Sequence, residues 1–157
     1  MGSWLEGGPS GEGGQGAGLG LAPHGPGSAA SLGRRVLALV LDWVLCLLIA
    51  SAFFASSSDG PFWARADGLV TLAVFAVENL LLVGTLGFTV GHRVLGLRVR
   101  RAGATPQGPL PDDGRAPGLG RAALRTVLLC LVIPAVVWDT DGRGLHDRSA
   151  GTAIVRR

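Results

Sequence analysis

Two carboxylates lie in long apolar stretches of this sequence, where a charged side chain is costly. Asp42 is the one charged residue of positions 36–55, and Glu78 is the one charged residue of positions 69–90. A carboxylate inside a membrane commonly marks a path for protons or ions. The alternative is structural: Asp42 would join helices through a salt bridge, and Glu78, beside Asn79, would form a hydrogen-bonded contact between helices. We favour the structural interpretation for both.

Four residues around Asp42 recur at spacings of three, four and four. A helix places all of them on one face: Arg35, Ala38, Asp42 and Cys46. Helical side chains lean towards the helix N-terminus, which turns Arg35 away from Asp42. Asp42 therefore needs a partner from elsewhere in the chain, or it stays protonated. The candidate partners are Arg93, Arg125 and His146.

The pair His146-Asp147 has the residue types of a metal site but lacks partners at ligand spacing. His24 lies in a Gly-rich segment and His92 lies in a loop, and neither continues a ligand pattern. The sequence also contains no Gly-rich phosphate loop, no nucleophile elbow and no H-E-x-x-H motif. We therefore expect no metal, no cofactor and no enzymatic activity.

Two apolar stretches are long enough to position these residues inside a bilayer. Residues 36–55 and 69–90 give 20 and 22 positions, and a helix of 20 residues is about 30 Å long, the thickness of the hydrocarbon core. We expect an α-helical membrane protein with transmembrane helices over these two ranges. A third apolar segment, 126–138, is shorter and contains Pro134, so it is either a tilted spanning helix or a re-entrant segment.

The arginines predict the orientation of these helices. Arg34 and Arg35 precede the first helix, and loop 91–125 is rich in arginine, whereas loop 56–68 carries only Arg65. Positive residues stay on the cytoplasmic side. We therefore expect a multi-pass protein of the cell membrane, with the N-terminus and loop 91–125 in the cytoplasm.

The C-terminal tail, 139–157, also carries arginines, although a spanning third segment would place it outside. Residues 94–101 and 151–157 are short, contain β-branched residues and end in arginine, as two paired strands would. If they pair, they share a compartment and the third segment cannot cross. Both arrangements stay open at this point.

The N-terminal segment differs in composition from the membrane domain, which we place at 34–157. Residues 1–33 contain 12 Gly and 3 Pro, which predicts a disordered tail. The basic residues flank apolar runs instead of forming a polar face, which argues against nucleic-acid binding. Cys46 and Cys130 lie in apolar runs and are interpreted as small apolar residues.

Three glycines near the end of the second helix, Gly84, Gly87 and Gly91, predict close helix packing. The last two form a G-x-x-x-G motif, which allows two helix backbones to approach each other. The contact would be made within one chain or between protomers.

Three motifs in this order resemble the RDD family of small bacterial membrane proteins. The first is Arg35-x-x-Ala38-x-x-x-Asp42. The second is Thr89-x-Gly91-His92-x-x-x-Gly96-Leu97-Arg98-Val99. The third is Leu145-His146-Asp147-x-x-Ala150-Gly151-Thr152. The resemblance covers about residues 33–156.

The resemblance implies that Arg35, Asp42 and Asp147 are the charge trio that gives the family its name. Arg121 and Arg125 resemble the basic pair that introduces the last apolar segment. The sequence departs from the family at His92, where lysine is more usual. It is also compact between Arg125 and His146, where many relatives have a longer apolar stretch.

Two functions follow as hypotheses, because the family's activity is unestablished. The first is an accessory or scaffold protein in the lipid bilayer, whose Arg/Asp network organises the helices. The second is a transporter or an ion or proton passage that uses Asp42. Two or three helices cannot enclose a path alone, so this second function requires a homo-oligomer or a larger membrane partner.

Overall fold

The computed structural model describes residues 19–131 and 144–157. The helices are α1 (Leu32–Phe53), α2 (Gly68–Leu86), α3 (Val90–Val94), α4 (Leu119–Cys130) and α5 (Leu145–Ala150). The strands are β1 (Leu97–Arg101), β2 (Ala104–Thr105), β3 (Gly108–Pro109) and β4 (Thr152–Arg156). A short 3-10 turn, Phe62–Ala64, lies between α1 and α2. The described residues thus form a helical protein with a small antiparallel sheet, as the sequence predicts.

The helices α1 and α2 are long and apolar enough to cross a membrane. They have 22 and 19 residues, with mean hydropathy of 2.5 and 2.1 over their most apolar windows. Only 28% of each window is buried, whereas the core helix of a soluble protein is mostly buried. Most of their apolar surface therefore faces outward.

The pattern of burial along α1 is inverted relative to that of a soluble helix. Its buried face carries Arg35, Asp42 and Cys46, while its exposed face carries Val40 and Val44. On a soluble helix the large apolar side chains face the core. Here the polar and small side chains do, and the face predicted from the spacing around Asp42 is the buried one.

The second helix is shorter than the predicted range 69–90, because Gly87 ends it. Gly87 adopts a left-handed conformation with φ 78° and its N–H bonds to the carbonyls of Leu82 and Val83. This is the usual arrangement at a helix C-terminus, and glycine adopts it without steric cost. The chain then starts the separate helix α3, so Gly87 and Gly91 do not lie on one helix. The prediction of a G-x-x-x-G packing motif on one helix is therefore wrong: Gly87 ends α2, and Gly91 lies in α3.

The strands β1 and β4 pair in antiparallel orientation, with Leu97 opposite Arg156 and Arg101 opposite Thr152. This confirms the predicted pairing of 94–101 with 151–157 and narrows both ranges. Leu97, Val99 and Val155 are almost completely buried and form the centre of the sheet. The strands β2 and β3 form a separate two-stranded hairpin.

Of the tail predicted over residues 1–33, the structure describes residues 19–33, which contact β4, and residues 1–18 lie outside the described part. Leu19 and Leu21 pack against Val155 and its neighbours. The N–H groups of Gly27 and Ala30 donate to carbonyls of β4, at 2.8 and 2.9 Å. Composition alone does not reveal these contacts, because they involve two leucines and the backbone of one strand edge.

The helix α4 begins at Leu119, seven residues before the predicted start of the third apolar segment at 126. Its buried positions, at spacings of three, one and three, are Ala122, Arg125, Thr126 and Leu129. Leu124 and Val127 lie on the exposed face. This helix is therefore inverted in the same way as α1. The remainder of the predicted segment, 132–138, lies outside the described residues.

Gly84 brings α2 and α4 close together. A Cβ atom at position 84 would lie 2.6 Å from a Leu119 methyl group and 3.4 Å from the Cβ of Ala122. Contacts below 3.0 Å require a shift of the neighbour. The absence of a side chain at Gly84 therefore lets α4 lie against α2 at this level.

Candidate functional site

The centre of the site is a buried ion pair between α4 and α5. The Nε of Arg125 donates to the Oδ1 of Asp147 at 2.7 Å, and the two side chains are 3% and 1% exposed. Thr152 donates from its hydroxyl to the same carboxylate oxygen at 2.9 Å. His146 lies on the other side, with Nε2 3.4 Å from Oδ2. Asp147 thus connects α4, α5 and the start of β4.

The surrounding cations keep Asp147 ionised. Burial alone would raise the pKa of this carboxyl, since a buried charge loses hydration. The charges of Arg125 and His146, the hydrogen bond from Arg125 and the charge of Arg35 together hold the pKa of Asp147 below its ordinary value. The carboxylate therefore carries a negative charge over the whole physiological range.

Arg121, one turn before Arg125 on α4, holds the other end of α5. Its Nη1 donates to the carbonyls of Ala150 and Gly151 at 3.2 and 3.1 Å. Cations bind favourably to the carbonyls at a helix C-terminus. The two arginines therefore attach α5 to α4 at both of its ends.

The hydrogen-bond partners of Asp42 are groups in the first turn of α3, and not the cations predicted from the sequence. The Thr89 hydroxyl lies 2.5 Å from Oδ2, and the Gly91 N–H donates to Oδ1 at 2.5 Å. This corrects the expectation of Arg93, Arg125 or His146 as its direct partner. Free N–H groups at a helix start bind a carboxylate well, so the backbone supplies what a cation was expected to supply.

Gly91 makes this contact between α1 and α3 possible. A Cβ atom at position 91 would lie 2.2 Å from the carbonyl oxygen of Ala38 and 2.9 Å from the Oδ1 of Asp42. Any side chain would therefore push α3 away from α1. The sequence predicts that Gly91 allows close packing of two helices. In the structure this close contact is between α1 and the first turn of α3.

His92 contacts the same Thr89 hydroxyl that lies beside Asp42. Its Nδ1 lies 2.6 Å from the Thr89 hydroxyl, and the Thr89 N–H points to the same nitrogen at 3.3 Å. Burial, followed by the charge of Arg125, lowers the pKa of His92 to about 3. The imidazole is therefore neutral at pH 7 and carries one proton, on either Nδ1 or Nε2.

The Thr89 hydroxyl couples the proton of Asp42 to the tautomer of His92. This hydroxyl has one proton and two close neighbours, so it cannot donate to both. When Asp42 is ionised, Thr89 donates to it and His92 donates from Nδ1, which then no longer accepts from the Thr89 N–H. When Asp42 is protonated, Asp42 donates to Thr89, Thr89 donates to Nδ1, and His92 carries its proton on Nε2. A proton can pass along these three groups only if His92 stays neutral, so a proton that reaches Nδ1 from Asp42 is matched by one released from Nε2.

Glu78 and Asn79 lie deeper and make separate contacts. The Cys46 thiol donates to the Oε2 of Glu78 at 3.0 Å, which joins α1 to α2. Asn79 is buried, and its amide donates to the carbonyl of Phe75 in its own helix at 3.1 Å. Glu78 thus connects the two long helices, whereas Asn79 bonds within α2.

A cavity of about 570 Å³ lies where α1, α2, α4 and α5 meet. Its polar lining includes all three members of the charge trio predicted from the motifs. These and the other polar lining residues are Arg35, Asp42, Asn79, His92, Arg125, His146 and Asp147. The structure thus brings the trio to one cavity, while Glu78 and Arg121 are not among its lining residues.

A family model described as RDD family matches residues 29–151, which is most of the chain. The chain belongs to the RDD family. This confirms the family predicted from the three motifs, and the matched range contains every residue of the RDD charge trio. No curated protein and no solved structure matches the sequence significantly.

The sequence interpretation missed Thr89 and His92 as partners of the RDD carboxylate Asp42. Thr89 caps α3 and His92 occupies the third position of that helix, where a side chain returns a bond to the cap. The spacing Thr89-x-x-His92 was the available signal. Among the described residues, no three His, Cys, Asp or Glu side chains form a cluster suited to a metal ion.

The lowered pKa of His92 predicts a pH-dependent stability. A free histidine binds a proton below about pH 6.5, but the buried His92 does not until about pH 3. The unfolded chain therefore gains protons first, and stability present above pH 6.5 is lost as the pH falls. We expect the wild type to lose up to about 1.4 kcal/mol per pH unit more than His92→Gln in this interval.

Thermal unfolding in detergent between pH 7 and pH 4.5 measures this difference. Glutamine at position 92 can still return a bond to the Thr89 cap but does not titrate. His24→Gln, at an exposed histidine, is the matched control and should follow the wild type. An equal loss of stability in the wild type and His92→Gln would contradict the assignment.

Proposed function

We propose that this RDD protein is a non-enzymatic multi-pass protein of the cell membrane, with its N-terminus in the cytoplasm, that acts as an accessory or scaffold protein. In this proposal, α1 and α2 cross the bilayer and the sheet lies on the cytoplasmic side. The buried contacts of Asp147 and Asp42 fix the sheet and α3 to the spanning helices. A homo-oligomer or a larger membrane complex is the expected partner.

The inverted burial of α1 and α4 is the observation that carries the proposal. Large apolar side chains such as Val40 and Val127 are about half exposed, at 49% and 59%, while Asp42 and Arg125 are 2% exposed. Such a surface is unfavourable in water but suits lipid. Membership of the RDD family supports the same conclusion.

The pairing of β1 with β4 supports one location for the arginine-rich loop and the C-terminus. The two strands pair along their length, from Leu97 opposite Arg156 to Arg101 opposite Thr152. Both strands therefore lie on the same side of the membrane. Arg98, Arg100 and Arg101 lie on β1, and such residues stay in the cytoplasm. Both ends of the chain between these strands then lie on the cytoplasmic side.

Reporter fusions test this topology. We expect a reporter after Arg157 and one inserted after Gly114 to give the same cytoplasmic reading, because β1 and β4 pair. A reporter after Gly60, in the loop between α1 and α2, should give the external reading. Opposite readings at Arg157 and Gly114 would contradict the topology.

An exchange of charges tests whether the Arg125–Asp147 pair holds the scaffold together. We expect Arg125→Asp alone and Asp147→Arg alone each to destabilise the protein by about 3–5 kcal/mol, because each leaves a buried charge without its counter-charge. The double variant should recover part of this loss. Thermal unfolding in detergent measures all three variants.

The exposed pair Arg98–Asp112 provides the matched control, since its side chains are 26% and 28% exposed. The corresponding variants, Arg98→Asp and Asp112→Arg, should each cost less than about 1 kcal/mol. Unchanged melting temperatures for the Arg125 and Asp147 variants would exclude the scaffold role of this pair.

A second candidate function, proton or ion passage, is favoured by the chain Asp42–Thr89–His92. Its two contacts of 2.5 and 2.6 Å connect a carboxylate on a long apolar helix to a histidine that lines the cavity. Asp42 would be the titrating group, and Arg35 with Asp147 would lie at the cytoplasmic end. An oligomer would have to complete the path.

Flux into liposomes tests this second function. We expect a transporting protein to lose at least about tenfold in flux on Asp42→Asn, since the amide cannot exchange the proton that the carboxylate carries. Asp59→Asn, at an exposed carboxylate in the loop between the long helices, is the control. Equal flux through a folded Asp42→Asn protein would exclude this function.

A further inference from the structure

The cavity beside the charge trio is open to the lipid-facing surface of the long helices. Leu39, Val40 and Trp43 line it, and they are 37%, 49% and 39% exposed. The same three side chains therefore belong both to the cavity wall and to the outer apolar surface. Leu72 of α2 and Leu129 of α4 contribute further apolar wall. A molecule with a hydrocarbon part could enter from the bilayer.

The size of the cavity suits one chain of an amphiphile. Its volume of about 570 Å³ lies within the range of small-molecule sites. Its lining on α1 extends from Leu32 to Trp43, which corresponds to roughly 16 Å along a helix axis. The cavity is therefore elongated beside α1, with Arg35 near the start of that helix and Asp42 further along it.

The ion pair at the charged end has one donor and one acceptor left over. Arg125 and Asp147 bond through Nε and Oδ1. Among the described residues, the Nη1 of Arg125 and the Oδ2 of Asp147 have no hydrogen-bond partner, although both atoms are buried. The Nε2 of His146, 3.4 Å away, makes no hydrogen bond to Oδ2. A buried polar atom without a partner is costly, and more so when its group is charged.

The two leftover atoms define what a ligand must offer at this end. Arg125 needs an acceptor, which a phosphate oxygen provides in a strong charge-assisted bond. Asp147 needs a donor, which a primary ammonium group provides. A headgroup that carries both a phosphate and an ammonium group is zwitterionic, so it adds no net charge beside Arg125 and Asp147. A purely anionic headgroup would satisfy Arg125 but would offer no donor to the Oδ2 of Asp147.

We propose that the cavity binds phosphatidylethanolamine from the bilayer. The Nη1 of Arg125 and the Oδ2 of Asp147 are both buried in the structure, so these two side chains turn towards the cavity when the lipid binds. The phosphate then accepts a hydrogen bond from the Nη1 of Arg125, the ammonium group donates to the Oδ2 of Asp147, and one acyl chain lies along Leu39, Val40 and Leu129. This rests on the proposed membrane location. It adds a specific lipid to the scaffold role and gives the charge trio a ligand.

Native mass spectrometry of the full chain, delipidated in detergent, tests the choice of lipid. The probes are phosphatidylethanolamine, phosphatidylcholine and phosphatidylglycerol with identical acyl chains. We expect phosphatidylethanolamine to be retained about tenfold more than the other two, because choline has no N–H to donate and glycerol offers Asp147 only a neutral hydroxyl in place of a charged ammonium donor. Equal retention of any other lipid in this set would overturn the proposal.

Two leucines on α1 provide a matched pair of variants for the place of binding. Leu39 lines the cavity, and Leu41, with a similar exposure of 38%, is not among its lining residues. We expect Leu39→Trp to fill the cavity and lower retention of phosphatidylethanolamine about tenfold, whereas Leu41→Trp should retain it as the wild type does. Equal retention by both variants would overturn the proposed place.

The comparison of lipids on the wild type decides the question even if Leu39→Trp fails to fold, which its melting temperature reveals. Failure of this proposal is also distinct from failure of the proposed function. The reporter fusions test the membrane topology without reference to lipid identity. A protein with the expected reporter readings and no preference among the three lipids would refute only the lipid site.

Discussion

A charge without water must have a partner, and this requirement organises the described part of the molecule. Asp147 is 1% exposed and interacts with Arg125, Thr152 and His146. These partners come from α4, from β4 and from α5 itself, so one carboxylate joins three elements. Asp42 has a similar role between two elements, because it joins α1 to the first turn of α3. Large apolar side chains of α1 such as Val40 and Val44, by contrast, lie on its exposed face.

The sequence predicted the elements better than it predicted their contacts. Spacing on α1 identified the face of Asp42 correctly, because a helix has a fixed period that a pattern of residues reveals. The pairing of β1 with β4 followed from two short β-branched stretches. The partner of Asp42 could not be predicted in this way, since the Gly91 N–H is a backbone group that every residue but proline has.

Two further differences have physical causes that composition conceals. Residues 19–33 are Gly-rich, yet Leu19 and Leu21 find a buried position beside β4. The helix α4 starts before its apolar run, and its first turns carry Arg121 and Arg125, whose side chains are bound by α5. In both cases a tertiary contact supplied the free energy that the local sequence lacked.

The long sequence separation of the contact between Asp42 and its partners has a consequence for biosynthesis. Thr89 and Gly91 follow Asp42 by 47 and 49 residues. At a translation rate of about 5–20 residues per second, the ribosome needs roughly 2–10 s to produce them after Asp42 has been made. During this interval α1 has no Thr89 or Gly91 to bind its carboxylate. If α1 enters the bilayer as proposed, Asp42 must stay neutral, remain hydrated or be sheltered by the insertion machinery until the turn of α3 is available.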